Sequence, residues 1–401
     1  MMNATRRRAL TTIVGGTLAP WARLSLAGSA GDTRPQRFVF LILRGGMDGL
    51  MAAPAPGDPA WAAARGTLAA AADAALPLAG GPFALHPLLA QAHGLYGSGE
   101  LLVVHATGLP YRERSHFDAQ QVLESGGSRP HELTSGWLGR ALQASGRRGV
   151  ALSTAVPLAL RGATAVDTWA PSQLPEPAAD LVARLASLYE ADAELAPALA
   201  RARGLHEEAA MRERLATPGA AGGGRIALTL ARQAAEFLRA PGGLTVAVLE
   251  LGGWDSHTNQ AAPQGATANS LRTLDGMLAA LREGLLQGDG SAWAHTVVLV
   301  ATEFGRAVAA NGNGGTDHGS GGAALLLGGA VRGGRVLADW PGLAAKDRYE
   351  GRDLRITTDL RAVLRPVLAD HLQVARAALD REVLPGSAAL PRLQDVLRAP
   401  A

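Results

Sequence analysis

Five runs along the chain are apolar at nearly every position instead of every second one. The first is Arg37-Phe-Val-Phe-Leu-Ile-Leu43, and Leu101 to His105, Leu244 to Leu251, Thr296 to Thr302 and Ala323 to Leu327 follow it. A strand with one face in water alternates apolar and polar residues. Continuous runs of this length, bounded by glycines and polar residues, therefore predict strands buried on both faces of a largely parallel sheet. Between them His116 to Glu124, Arg225 to Arg239 and Asn269 to Gln287 carry apolar residues at helical spacing. The alternation predicts an α/β fold, a three-layer α/β/α arrangement with helices on both faces of an open, doubly wound sheet. The stretch from about Pro175 to Thr217 is rich in Ala, Leu, Glu and Arg without a strand run, and reads as a helical insertion within one domain covering 31–401. Pro54 to Pro82 and Gly288 to Ala292 read as surface connections, and Asp359 to His371 as a late helix. No internal repeat interrupts this order.

Composition narrows the class. With 401 residues, 47% of them hydrophobic, the chain can bury a sizeable core; only 4% are aromatic and 50 are Gly, so that core is built from Ala, Leu and Val. The formal charge of +3 lies partly in Arg6-Arg7-Arg8 and no basic stripe is interleaved with aromatics, which argues against a nucleic-acid partner. The absence of cysteine removes disulfides, thiolate metal sites and cysteine nucleophiles together. At the N-terminus, Thr5-Arg6-Arg7-Arg8-Ala9-Leu10 precedes a moderately apolar stretch from Thr11 to Leu26 and the small residues Ala27-Gly28-Ser29-Ala30. That order looks like a twin-arginine signal over residues 1–30, which predicts export of the folded protein to the periplasm or beyond. No later run approaches the roughly 18 to 20 apolar residues needed to span a bilayer, so the mature chain is expected to lack a transmembrane segment.

In open α/β sheets ligands bind beyond the carboxyl ends of the strands, and this sorts the polar residues. Asp48 follows the first run within Leu43-Arg-Gly-Gly-Met-Asp-Gly49. Asp255 and His257 follow the third within Gly252-Gly-Trp-Asp-Ser-His257. Glu303 directly follows the fourth, and Gly315-Thr316-Asp317-His318-Gly319 closes the loop after it. Each has a plainer reading: an Asp after a strand is often a turn former or helix cap, and Glu303 near Arg306 can be a local ion pair. Together, four carboxylates and two imidazoles at one sheet edge would repel and suffer desolvation unless cations hold them. Ser115, in Tyr111-Arg-Glu-Arg-Ser-His-Phe-Asp-Ala-Gln120, stands where a loop enters a helix, either as an N-cap or as a nucleophile. Arg114 beside it offers a donor fork to an oxyanion or is a solvated charge, and His116 is open between metal ligand, base and core histidine. His86, His93, His105, His131, His206 and His295 have no partner at ligand spacing. The glycine loop 311–322 is no nucleotide P-loop, since no Lys-Ser/Thr follows it.

The motifs Leu-Arg-Gly-Gly-Met-Asp-Gly, Arg-Ser-His-Phe-Asp-Ala-Gln, Gly-Gly-Trp-Asp-Ser-His, Thr-Glu-Phe-Gly-Arg and Gly-Gly-Thr-Asp-His-Gly, behind the twin-arginine pattern, resemble those of the bacterial family catalogued as domain of unknown function 1501, from about Arg37 to His371. That family is assigned to the alkaline-phosphatase-like superfamily. The resemblance implies a metal site with Ser115 as nucleophile, with Asp48, Asp317 and His318 around one ion, and with Asp255, His257 and Glu303 at a second. The chain departs from the superfamily pattern twice. Only Ser256 separates Asp255 from His257, where three residues are usual, and no third metal-binding histidine stands late in the chain, His371 reading as structural. Formylglycine chemistry is disfavoured, because there is no cysteine and Ser128-Arg-Pro-His-Glu132 lacks the required arginine.

The expectation is therefore an exported metal-dependent hydrolase of phosphate or related ester bonds, acting on a small-molecule or polymeric ester. Ser115 would attack, and Arg114 or Arg44 would clamp the transferred group. Mixed carboxylate and imidazole ligands favour zinc or manganese and leave calcium open. The rival expectation is a non-catalytic scaffold that keeps the metal site to bind or assemble at the cell envelope.

Overall fold

The run Arg37–Leu43 becomes strand β1, buried at every position, in the interior of a nine-stranded sheet. The computed structural model describes residues 35–171, 179–213, 223–241 and 243–399. The remaining strands are β2 (Leu101–Gly108), β3 (Arg148–Ala151), β4 (Asp167–Thr168), β5 (Leu244–Leu251), β6 (Thr296–Thr302), β7 (Gly322–Leu327), β8 (Arg335–Leu337) and β9 (Thr358–Asp359). Their order is β8-β2-β7-β6-β1-β5-β3-β4, with β9 beside β2. All neighbours run parallel except β7, which is antiparallel to both β6 and β2. The reason is local. The segment from Glu303 to Gly321 returns directly without a crossover helix, and such a return joins antiparallel strands.

Successive side chains of β1 point to opposite faces, and each face feeds its own core. Phe38, Phe40 and Ile42 pack with Trp137, Leu138 and Val363, whereas Val39, Leu41 and Leu43 pack with Ala231, Phe237, Leu274 and Leu278. The helices that supply those residues are α1 (His116–Ser125), α2 (Trp137–Ser145), α3 (Gly223–Arg239), α4 (Ala266–Leu286) and α5 (Leu360–Pro366). The result is the expected three-layer α/β/α architecture with a largely parallel sheet, in one compact unit, Gln36–Arg398. β3, β4, β8 and β9 have no run in the sequence reading because they are two to four residues long.

The twin-arginine pattern at residues 1–30 lies outside the described residues. Of the insertion expected at 175–217, the described part is two helices, Ala179–Tyr189 and Leu195–Glu213, joined by turns. The connection from Pro54 to Pro82 is more than surface: its short helix Trp61–Arg65 sends Trp61 and Arg65 inward, and Arg65 is fully buried. Among the described residues no helix is long and apolar enough to cross a membrane.

Two buried histidines make the core sensitive to acid. His105 donates from Nε2 to the Ala53 carbonyl at 2.8 Å and accepts at Nδ1 from Ala106 N–H, so it is neutral. His371, the residue read as structural, bonds from Nε2 to the Arg37 carbonyl at 2.8 Å. Burial pulls both down to about 4, from 6.5. Between those values the unfolded chain takes up protons that the folded chain refuses, so stability is intact above pH 6.5 and falls as pH drops towards 4. The expected slope is about 1.4 kcal/mol per pH unit for each histidine. Urea midpoints at pH 7 and pH 5 check it, and His371→Gln should lower the slope by about 1.4 kcal/mol per pH unit.

Candidate metal centre

Three parallel strands end level with one another and aim their loops at one place. Leu43 at the end of β1 pairs in register with Leu251 of β5 and with Thr302 of β6. From those ends come Arg44 to Asp48, Gly252 to His257 and Glu303 to Arg306. β2 runs in the same direction, and its following segment reaches Ser115 and His116 at the start of α1. Close approach of the loops needs glycine at two points. Gly45 has φ +120 and a Cβ there would lie 2.6 Å from the Asp255 backbone N; at Gly315 a Cβ would lie 2.2 Å from the His257 backbone C.

What converges is a set of imidazole Nε2 atoms around one carboxylate. His116 Nε2 and His318 Nε2 are 3.1 Å apart, and Asp255 lies 3.2 Å from His318 and 3.6 Å from His116. These are the described residues whose ligand atoms all lie within 4.8 Å of one another. His257 flanks them on the far side, with Nε2 at 3.1 Å from His318 Nε2 and 3.0 Å from Asp255 Oδ1.

Behind each imidazole stands an oxygen that fixes its other nitrogen. His116 Nδ1 faces Glu303 Oε1 at 2.9 Å, His318 Nδ1 donates to the Arg114 carbonyl at 3.0 Å, and His257 Nδ1 is 3.4 Å from Asp317 Oδ1. A neutral imidazole that donates from Nδ1 has only a lone pair at Nε2. His116 and His318 thus meet lone pair to lone pair, an arrangement that calls for a proton or a cation between them. The hydrogen bond to Glu303, partly opposed by burial, raises the affinity of His116 for that proton. Burial, against the Arg114 carbonyl, lowers that of His318.

The donor set fits a divalent transition metal. Ligand bonds of about 2.0 to 2.1 Å in a tetrahedral site put ligand atoms roughly 3.3 Å apart, and the separations here bracket that value. Orienting oxygens behind ligating imidazoles are the usual support of such sites. Two imidazoles with one carboxylate suit zinc or manganese, whereas calcium prefers an all-oxygen shell.

The carboxylates are kept ionised. Burial pushes Asp255 up, but the hydrogen bond and charge of Arg306, with the nearby imidazoles, hold it below its ordinary value; Arg306 Nη1 is 2.7 Å from Oδ1. Burial likewise pushes Glu303 up and is outweighed by hydrogen bonds from His116, its own backbone N–H, Gln120 and Gly45. Asp317 is lowered chiefly by the Asn311 amide.

The site therefore differs from the one expected. Asp255 and His318 are in the converging group with His257 at its flank, and His116, left open between three roles, joins the group. Glu303 and Asp317 sit behind imidazoles as orienting groups. Asp48 stands apart: its Oδ1 caps the helix Gly49–Ala52 at Leu50 and Met51, and its Oδ2 accepts from Arg65 at 2.7 Å and Gln260 at 2.6 Å. Those partners fill its lone pairs. Arg306 pairs with Asp255 instead of Glu303. The guanidinium of Arg114 is taken by Asp353 and Glu350, and that of Arg44 by Glu124 and Glu250, so neither is free to clamp an anion. Ser115 occupies the N-cap position of α1 without making a side-chain cap hydrogen bond. Gln260, Thr316 and Arg306 form a buried relay from Asp48 to Asp255 that no sequence signal marked.

The family model described as protein of unknown function (DUF1501) matches residues 100–384. The chain belongs to that family. No curated protein matches the DUF1501 chain in sequence. Among solved structures it is similar to the C-terminal periplasmic domain of EcEptC from Escherichia coli, solved in complex with Zn, at 11% identity over 91% of this chain and 92% of that one with a TM-score of 0.43. A protein in the alkaline phosphatase superfamily from Vibrio parahaemolyticus is 12% identical over 79% and 65%, with a TM-score of 0.39. The PsFucS1 sulfatase from Pseudoalteromonas sp. is 11% identical over 94% and 73%, also at 0.39. At these identities and scores the likeness bears on no residue's role in the DUF1501 chain.

Proposed function

We propose that the protein is an exported metal-dependent hydrolase of phosphate or related ester bonds. The observation that carries this reading is the convergence of His116 Nε2, His318 Nε2 and Asp255, drawn from the start of α1 and two separate loops, with an oxygen behind each imidazole. His116, Asp255 and His318 would hold the ion, and His257 borders them. A divalent ion bound there would supply Lewis-acid stabilisation of negative charge on the reacting oxygens. The chain's own contribution is positional. Glu303 and the Arg114 carbonyl fix two ring orientations, Arg306 fixes Asp255, and Ser115, next to His116 and free of any capping bond, is the nucleophile. Its Oγ forms the seryl ester as the alcohol leaves, and water then releases the acid.

Ser115→Ala is expected to lower turnover of an aryl phosphate or aryl sulfate ester at least about 100-fold while leaving metal content unchanged. Equal turnover in the two proteins rejects the serine mechanism. One observation favours a second reading, a metal-holding envelope scaffold without turnover: both arginines expected to clamp an oxyanion spend their guanidinium groups on carboxylates. A protein that binds metal and hydrolyses none of these esters would put that reading first.

A further inference from the structure

We propose that a cleft beside the metal centre, headed by Arg112, binds a small organic anion and serves as the subsite for a second anionic group of the substrate. The cleft has a volume of about 240 Å³ and is walled by Pro110, Ile356, Leu390, Pro391 and Leu393, with Arg112 at its border. Arg112 differs from the arginines around the site in having no acceptor at all among the described residues; even Arg355, close enough to repel it, donates to the Asp347 and Arg348 carbonyls. Arg44, Arg114, Arg306 and Arg361 each hold a carboxylate, whereas Arg112 makes no hydrogen bond or ion pair among the described residues and only lies over the Tyr349 ring, 5.4 Å from its centroid. Half-buried and without an acceptor, its guanidinium is pushed below its ordinary value by desolvation, although it stays charged.

The two acids that act on it across space are each bonded to other arginines, Asp353 to Arg114 and Arg352. Asp359, the carboxylate on the cleft wall, is occupied by Arg361, at 2.8 Å from Nη2, and by the Arg361 backbone N–H. A cleft with one apolar wall and a partly desolvated guanidinium that no acceptor bonds among the described residues is complementary to an anion on an apolar body: the fork takes two oxygens, and the wall takes the carbon skeleton. The same fork cannot be satisfied by a neutral ligand of that shape.

Chain geometry ties the cleft to the centre. Arg112 is three residues from Ser115, so their Cα atoms are at most about 11 Å apart, and the intervening Arg114 supplies the carbonyl that orients His318. One segment gives Pro110 and Arg112 to the cleft and the Arg114 carbonyl and His116 to the metal centre. A substrate whose ester reached Ser115 while a second sulfate, phosphate or carboxylate rested on Arg112 would span that distance. The role as a substrate subsite rests on the hydrolase reading; the binding of the anion does not.

The test uses benzenesulfonate, an anion on an apolar body that no ester hydrolase can cleave, with benzyl alcohol as the uncharged control, titrated calorimetrically into the full protein. Wild type, Ser115→Ala and His318→Ala should bind the sulfonate alike, because the cleft does not use the metal. Arg112→Ala should weaken binding at least about 10-fold, and Arg112→Gln, which keeps the length of the side chain, should weaken it similarly. Benzyl alcohol should bind none of them measurably. Undiminished affinity in both Arg112 variants, no binding to wild type, or loss of binding in His318→Ala each overturns the proposal. If the anion binds as expected and no ester is turned over, only the hydrolase reading fails.

Discussion

His318→Ala is expected to abolish the proposed binding of a divalent ion and, with it, the proposed ester turnover. His318 is the hub of the cluster, within 3.2 Å of Asp255 and 3.1 Å of both His116 and His257. Losing an orienting partner behind a ligand already reduces metal affinity about 10- to 100-fold, so losing this ligand should exceed about 100-fold. Competition with a zinc chelator measures the affinity. Stability gives a second readout, since an ion at 100 times its dissociation constant adds about 2.7 kcal/mol to the wild type. The variant should gain nothing from the same zinc, while the two metal-free proteins unfold at similar urea concentrations. Glu303→Gln should fall between them, because an amide oxygen can still accept from His116 Nδ1 but carries no charge.

Asp48→Ala is expected to act through the fold instead. The Arg65 and Asp48 side chains are 0% and 2% exposed and 2.7 Å apart. Removing the acid leaves a guanidinium charge in the core, where a broken buried pair costs about 3 to 5 kcal/mol. Arg65 Nε already has no hydrogen-bond partner, so the site has no spare acceptor to redistribute the loss. The decisive comparison is chelator against zinc: a structural Asp48 gives the same loss of stability in both, whereas a metal-ligating Asp48 gives its loss only with zinc. Replacing both partners, Asp48→Asn with Arg65→Met, should recover much of the stability, because it removes both buried charges while an amide oxygen can still cap Leu50 and Met51.

These two residues also mark how far the sequence could be read. Asp255-Ser-His257 and Asp317-His318 are legible because a strand run fixes where it ends, and the ends of parallel strands share an edge. Which oxygen faces the ion is not legible. Asp317 and His318 are adjacent, yet His318 points its Nε2 into the cluster and Asp317 stands behind His257. Position in the chain puts both on one loop; only the turn around Gly315, pressed against the His257 backbone, decides which side chain faces in. Asp48 misleads for a related reason. Its partners lie 17 and 212 residues away, Arg65 within a stretch that looks like a surface connection and Gln260 beyond the Asp255 motif. The long strands were readable from continuous apolar runs, whereas the short edge strands, with one neighbour or two to four residues, give no such run. The antiparallel return of β7 follows from a missing helix between β6 and β7, which the glycine-rich loop contains in its composition but not in any strand signal.

On the proposed function, His116, Asp255 and His318 share one cation. Diffraction at the zinc absorption edge from a crystal equilibrated with zinc decides this. One strong anomalous peak is expected about 2.0 to 2.2 Å from His116 Nε2, His318 Nε2 and an Asp255 oxygen. A cluster with no peak, its imidazoles still in direct contact, or zinc bound at Asp48 instead, would contradict it.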